Sequence, residues 1–139
     1  MILLDTNVLS EVNKRTPESQ VRAWVDAQLP GSLFISAITV MEVMDGIGRL
    51  TPGGKSRAEL DAIMSGAIQL YDGRILPFDY TAAVGYAQIM ERTRRAGYNV
   101  GTPDAMIAAI AAVRGFAVAT RDEAAFRAMD ARVINPWTD

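Results

Sequence analysis

Met1-Ile2-Leu3-Leu4-Asp5-Thr6-Asn7-Val8-Leu9 decides how this chain is read. Ile2-Leu3-Leu4 is a short apolar run that suits a strand buried on both faces. Asp5-Thr6-Asn7 then supplies three helix-capping residues in succession, and Val8-Leu9 begins a helix. The same strand-then-helix grammar recurs downstream. Leu33 to Ser36, Arg74 to Pro77, Phe116 to Ala119 and Arg132 to Ile134 read as further strands. Helices are expected over roughly Glu18 to Gln28, Thr39 to Leu50, Ser56 to Leu70, Thr81 to Ala96, Thr102 to Val113 and Glu123 to Met129. Asp79 is placed to cap the fourth of these, and Gly97 to end it. Thr102-Pro103 reads as an N-cap followed by proline at the first helical position. Strands alternating with helices predict an α/β fold: a parallel, twisted sheet of about four to five strands with helices on both faces.

The chain has 139 residues, half of them hydrophobic, which predicts one domain over 1–139. With 14 basic and 16 acidic residues the formal charge is −2. No global basic field exists, so a nucleic acid would be held by local patches or through a partner. Cysteine and histidine are both absent. That excludes disulfides, thiolate zinc sites, and Ser-His or Cys-His catalysis. Carboxylate, lysine, tyrosine or a metal must then do any proton work. The N-terminus lacks a basic leader, and the longest apolar run, Ala105 to Val113, is half a membrane span. A cytoplasmic protein without membrane contact is expected.

Asp5, Glu42, Asp104 and Asp122 each fall where a strand ends or a helix begins. In an open α/β sheet such positions converge on one edge, where ligands bind. Each acid also has a plainer explanation. Asp5 and Asp122 suit helix caps, and Thr39-Val40-Met41-Glu42 has the form of a capping box, in which Glu42 would reach back to the Thr39 backbone. Asp104 is harder to explain so, because it opens a helix apolar all round, where a buried charge needs a partner. Capping accounts for single residues but not for so many acids at one edge. Carboxylates gathered there would repel one another unless a divalent cation joined them, and an all-oxygen set suits Mg²⁺ or Mn²⁺. A metal-dependent phosphoryl-transfer site is the reading from the residues.

Four blocks in order, Met1 to Leu9, Ser36 to Gly46, Pro103 to Ala109 and Ala119 to Asp122, resemble those of the PIN-domain family, and within it the VapC-type and FitB-like toxins of bacterial toxin–antitoxin pairs. The resemblance spans the whole chain. It implies an endoribonuclease in which Asp5, Glu42, Asp104 and Asp122 surround Mg²⁺ or Mn²⁺. Asp5 and Asp104 are then the principal metal ligands, with Glu42 and Asp122 completing the shell and orienting the nucleophile. Thr6, Asn7 and Thr120 would support them by hydrogen bonds. Hydrolysis of this kind leaves a 5′-phosphate and a 3′-hydroxyl and needs no histidine. Two positions depart from the usual pattern: Pro103 precedes the third acid, and Asp45 adds a fifth one turn from Glu42.

Arg121, beside Asp122, is the best placed residue for steering phosphate. Lys14-Arg15 and Arg92, Arg94 and Arg95 are further candidates, and solvated helix ends explain these equally well. Met41, Met44 and Met64 are expected in the core. The resemblance also implies a homodimer silenced by a cognate antitoxin, which reaches towards the acids and alone carries the contact with DNA. Two other classes fit the residues. One is a non-catalytic binding module of the same fold, acting in an antitoxin–DNA complex. The other is a metal-dependent phosphatase or DNA nuclease, although Asp5-Thr6-Asn7 lacks the second aspartate of an Asp-x-Asp nucleophile.

Overall fold

The Ile2–Leu4 strand (β1) is paired on both sides along its length, which explains why it is apolar throughout. The computed structural model describes residues 1–139. After β1 come α1 (Thr6–Val12), α2 (Ser19–Asp26), β2 (Leu33–Ser36), α3 (Ala37–Gly48), α4 (Lys55–Gln69) and β3 (Ile75–Leu76). The second half runs α5 (Tyr80–Arg95), α6 (Thr102–Arg114), β4 (Ala117–Ala119), α7 (Glu123–Ala128) and β5 (Val133–Ile134). The five strands pair in parallel in the order β3-β2-β1-β4-β5. From β1 the chain therefore builds outward to β3, then returns to the other side of β1 for β4. The order reverses between β1 and β4, and the crevice beyond their carboxyl ends is where such sheets take ligands.

Strand alternation sends successive side chains to opposite faces, and each face has its own helical cover. Leu3 and Val118 enter one core with Ala82 and Ile89 of α5, Ile107 and Ile110 of α6, and Phe126 of α7. Leu4, Ile35 and Ala119 enter the other, with Val8 and Leu9 of α1, Val21 of α2, Val43 of α3 and Met64 of α4. Leu3, Leu4, Val118 and Phe126 are fully buried, and each such side chain contributes about 1.5–3 kcal/mol through removal from water. Gly115 ends α6 at φ 69°, a left-handed cap that returns the chain into β4. Gly85 lets α5 approach α6 closely, since a Cβ there would lie 3.0 Å from Val113 Cγ1.

Local expectations shift in three places. The third helix starts at Ala37, with Ser36 as its cap, because Ser36 Oγ accepts from Thr39 N at 3.1 Å. Thr102 is not a cap but the first residue of α6; Gly101 takes the cap position and makes no side-chain bond. Met64 is in the core as expected, whereas Met41 and Met44 are 49% and 46% exposed. On α4, Met64 and Ala67 are buried while Leu60 and Ile63 face solvent. No helix is long and apolar enough to cross a membrane.

Candidate active site

Asp5 follows β1 directly, and its amide donates to Ala119 O of β4 at 2.9 Å, so it stands at the point where the strand order reverses. Its carboxylate has two tasks. Oδ1 accepts from Thr6 N at 2.8 Å and caps α1. Oδ2 accepts from Thr120 Oγ1 at 2.7 Å and from Asn7 Nδ2 at 3.0 Å. Capping and a place in the acidic cluster are thus compatible, because one carboxylate has lone pairs enough for both.

Glu42 lies one turn into α3 and does not form the capping box. Its Oε1 accepts from Thr6 Oγ1 at 2.7 Å instead. Thr39 turns inward, its hydroxyl 3.2 Å from Thr6 Oγ1 and 3.4 Å from Ser36 Oγ. Ser36, Thr39 and Thr120 are wholly buried, forming a polar floor beneath the acids. Asp122 caps α7, with Oδ1 3.5 Å from Ala125 N, and its own amide donates to Thr120 Oγ1 at 3.0 Å. Asp104 occupies the first turn of α6 and is the member of the set with no hydrogen-bonding partner to lower its pKa.

The electrostatics follow from this placement. Burial pushes the Asp104 carboxyl up to about 6, and the nearby Asp5, Asp122 and Glu42 carboxylates add to the rise. Asp5 is also raised, chiefly by burial, although Thr120 and the Thr6 amide pull it back. Four carboxylates from four separate elements therefore act on one another. No three acidic side chains are gathered tightly enough to enclose a cation unaided. The donor set nevertheless fits Mg²⁺ or Mn²⁺: the ligands are hard oxygens, and Mg²⁺ commonly takes one or two carboxylates and fills its shell with water. A cation held by Asp5 and Asp104 would also offset the carboxylate repulsion that adds to the effect of burial on each.

The remaining candidates divide. Asp45 points away from the cluster and pairs with Arg49 at 2.8 Å in solvent. Arg92 and Arg95 pair with Asp130 and Glu91 at 3.7 and 2.7 Å on exposed surface. Arg121 lies against the Trp137 ring, its guanidinium carbon 4.6 Å from the centroid. Lys14 bonds Glu11 Oε2 at 2.6 Å. It also lines a groove of about 370 Å³ with Thr6, Ser10, Glu42, Ile47, Leu60 and Met64. Sequence reasoning missed Glu11 and Trp137. For Glu11 a signal existed: it falls three residues after Val8 on the buried side of α1. For Trp137 there was none, because its partner Arg121 is a separate segment.

Comparison with known proteins agrees with the fold. A family model described as PIN domain matches residues 2–132. The chain is similar to "VapC ribonuclease Y4jK" of Sinorhizobium fredii, 44% identical over 138 residues and covering 99% of this chain and 98% of the relative. It is also similar to "Toxin FitB" of Neisseria gonorrhoeae, 41% identical over the full length of both chains. Among solved structures, a chain of FitAB bound to an IR36 DNA fragment superposes with a TM-score of 0.91 at 41% identity, covering 100% of this chain and 97% of that one.

Proposed function

The chain belongs to the PIN-domain family, and on that premise we propose that it is a toxin-type endoribonuclease that hydrolyses RNA at the acidic edge and is silenced by a cognate antitoxin. The observation that supports this most is the gathering of Asp5, Glu42, Asp104 and Asp122 at the strand-order reversal, where burial first, and then the neighbouring carboxylates, raise Asp104 to about 6. Crowding carboxylates at one half-buried edge costs stability beyond what their caps contribute, and such a cost is characteristic of functional sites.

Asp5 and Asp104 would hold Mg²⁺ or Mn²⁺, which supplies charge neutralisation at the scissile phosphate and eases ionisation of the attacking water. Asp5 is held rigidly, since Thr6 N, Thr120 and Asn7 fix both its oxygens. Glu42, fixed by Thr6, and Asp122, fixed at the start of α7, orient the water for in-line attack. Its oxygen bonds to phosphorus, its proton passes to a carboxylate, and the P–O3′ bond breaks. The 3′-oxygen takes a proton from solvent, leaving a 5′-phosphate and a 3′-hydroxyl.

The antitoxin is proposed to occupy the groove that runs past Leu60, Met64 and Ile47 to Glu42, as an apolar path ending at a carboxylate. Contact with DNA then belongs to the antitoxin, in keeping with a net charge of −2 here. The toxin itself is proposed to be a homodimer in the cytoplasm.

A second reading has two observations in its favour: Asp5 and Asp122 already serve as caps, and the acids do not enclose a cation unaided. On that reading the chain is a non-catalytic module in an antitoxin–DNA complex. Antitoxin-free protein incubated with total RNA and Mg²⁺ or Mn²⁺ separates the two. Discrete 5′-phosphate ends, absent with EDTA and with Asp104→Asn, support the nuclease. Absent ends together with absent Mn²⁺ binding support the module.

A further inference from the structure

An acidic edge must bind a polyanion if this chain cuts RNA, and the cations that could offset it are few. Lys14 lines a groove with Glu42, Arg121 directly precedes Asp122, and each is held by a group outside the acidic cluster. The Glu11 side chain is 3% exposed, yet its surroundings favour the ion. Lys14 Nζ lies 2.6 Å from Oε2, and the Glu18 amide donates to Oε1 at 2.9 Å. Lys14, then the Glu18 amide, hold its carboxyl below the usual range, and Arg121 adds a smaller attraction. Lys14 is thereby kept over the groove that it lines with Thr6 and Glu42.

Arg121 is held differently. Its guanidinium carbon sits over the Trp137 ring, 4.6 Å from the centroid, and Trp137 packs against the core that contains Val8 and Leu9 of α1. The segment carrying Trp137 is itself tied down. Asn135 Oδ1 accepts from Trp137 N at 3.0 Å, and Asn135 Nδ2 donates to Glu123 of α7. Arg121 enters none of the seven ion pairs of the molecule. A guanidinium stacked on its face keeps its edge donors free, the geometry that suits a phosphate. Its amide lies 3.4 Å from Asn7 Oδ1, and Asn7 in turn donates to Asp5, so the arginine is one residue removed from the acids.

We propose that Glu11 and Trp137 are positioning residues that hold Lys14 and Arg121 as a cationic rim on the acidic edge, and that this rim grips the phosphate backbone of a single RNA strand, an inference that rests on the ribonuclease reading. Phosphate is favoured over a protein carboxylate because both cations flank the residues proposed to act on a phosphodiester.

Binding of a fluorescein-labelled, mixed-sequence single-stranded RNA to the Asp104→Asn protein in Mg²⁺, measured against salt concentration, tests the rim without cleavage. Arg121→Ala and Lys14→Ala added to that background should each weaken binding about five-fold or more and lower the salt slope by about 0.7, the value of one single-strand phosphate contact. Glu11→Gln and Trp137→Leu should weaken binding with the cations still present, and Trp137→Phe should restore it. In the variants that retain Asp104, Mn²⁺ binding should stay as in wild type, and melting, although lowered where Glu11, Lys14 or Trp137 is changed, should remain cooperative and above the assay temperature. RNA affinity and slope unchanged in all rim variants would overturn the proposal. So would unchanged RNA affinity with weakened binding of a hexaglutamate peptide, which would assign the rim to a protein partner. Wild-type cleavage of total RNA is scored alongside. Cleavage with an indifferent rim removes the rim alone, whereas no cleavage and no RNA binding in any form removes the ribonuclease reading as well.

Discussion

Thr120 Oγ1 donates to Asp5 Oδ2 across 2.7 Å, joining side chains 115 residues apart. The bond ties the end of β4 to the end of β1, and Thr120 also accepts from Asn7 Nδ2 and the Asp122 amide at 3.2 and 3.0 Å. One buried hydroxyl thus links three members of the site. Thr120→Val keeps the shape and removes these bonds, so it should destabilise the metal-free protein by about 1–3 kcal/mol. It should also push the Asp5 carboxyl further up. Thr120→Ser should recover most of the loss. Urea unfolding in EDTA at neutral pH checks both.

Asp104 sets a pH dependence with a definite sign. Its folded pKa, about 6, lies above its ordinary value of 3.8, so the unfolded chain releases this proton first. Stability is therefore greatest below the ordinary value, falls as pH rises between the two, and stays low above about 6. Asp5, also raised, acts in the same direction. In EDTA, Asp104→Asn should be more stable than wild type at pH 7.5 by about 1–2 kcal/mol, allowing for solvent screening at a half-buried group. The difference should vanish near pH 4. Melting curves across that range, with equal stabilities throughout as the contrary outcome, decide it.

Adding Mn²⁺ should reverse the order. A ligand that binds only the folded state stabilises by mass action, and wild type should gain more than Asp104→Asn because it offers both principal carboxylates. A rise in melting temperature that is equal in the two proteins would place the cation elsewhere.

Thr6 fixes Glu42 through a 2.7 Å bond. Thr6→Val should leave the fold intact and lower RNA cleavage about 10–100-fold, the usual cost of losing a group that orients a metal-site carboxylate. Thr6→Ser should retain most activity. Rate measurements on a cleavable RNA at saturating Mg²⁺ discriminate a positioning loss from a metal-affinity loss.

Asp45→Asn should change stability by no more than about 0.5 kcal/mol and leave cleavage untouched, because Asp45 pairs with Arg49 in solvent. Glu42→Gln, three residues earlier, should abolish cleavage. Loss of activity in both would mean that α3 presents its acids differently from the arrangement described.

Much of this protein is written locally. Apolar runs closed by Asp5, Ser36 or Thr120, helix stops at Gly97 and Gly115, and the Asp79 cap are readable because each depends on neighbours in sequence. A parallel sheet then follows from alternation, and with it the gathering of Asp5, Glu42, Asp104 and Asp122 at one edge. Tertiary structure alone decided which strands adjoin, and so that the order reverses between β1 and β4. It also decided the partners of the polar groups. Glu42 meets Thr6 rather than the Thr39 backbone, Met41 and Met44 face outward, and Glu11 and Trp137 stand behind Lys14 and Arg121. Hydrogen bonds and stacking act over a few ångströms in space between residues far apart in the chain. Periodicity and capping patterns carry no record of such pairings, whereas they do carry the elements that bring them about.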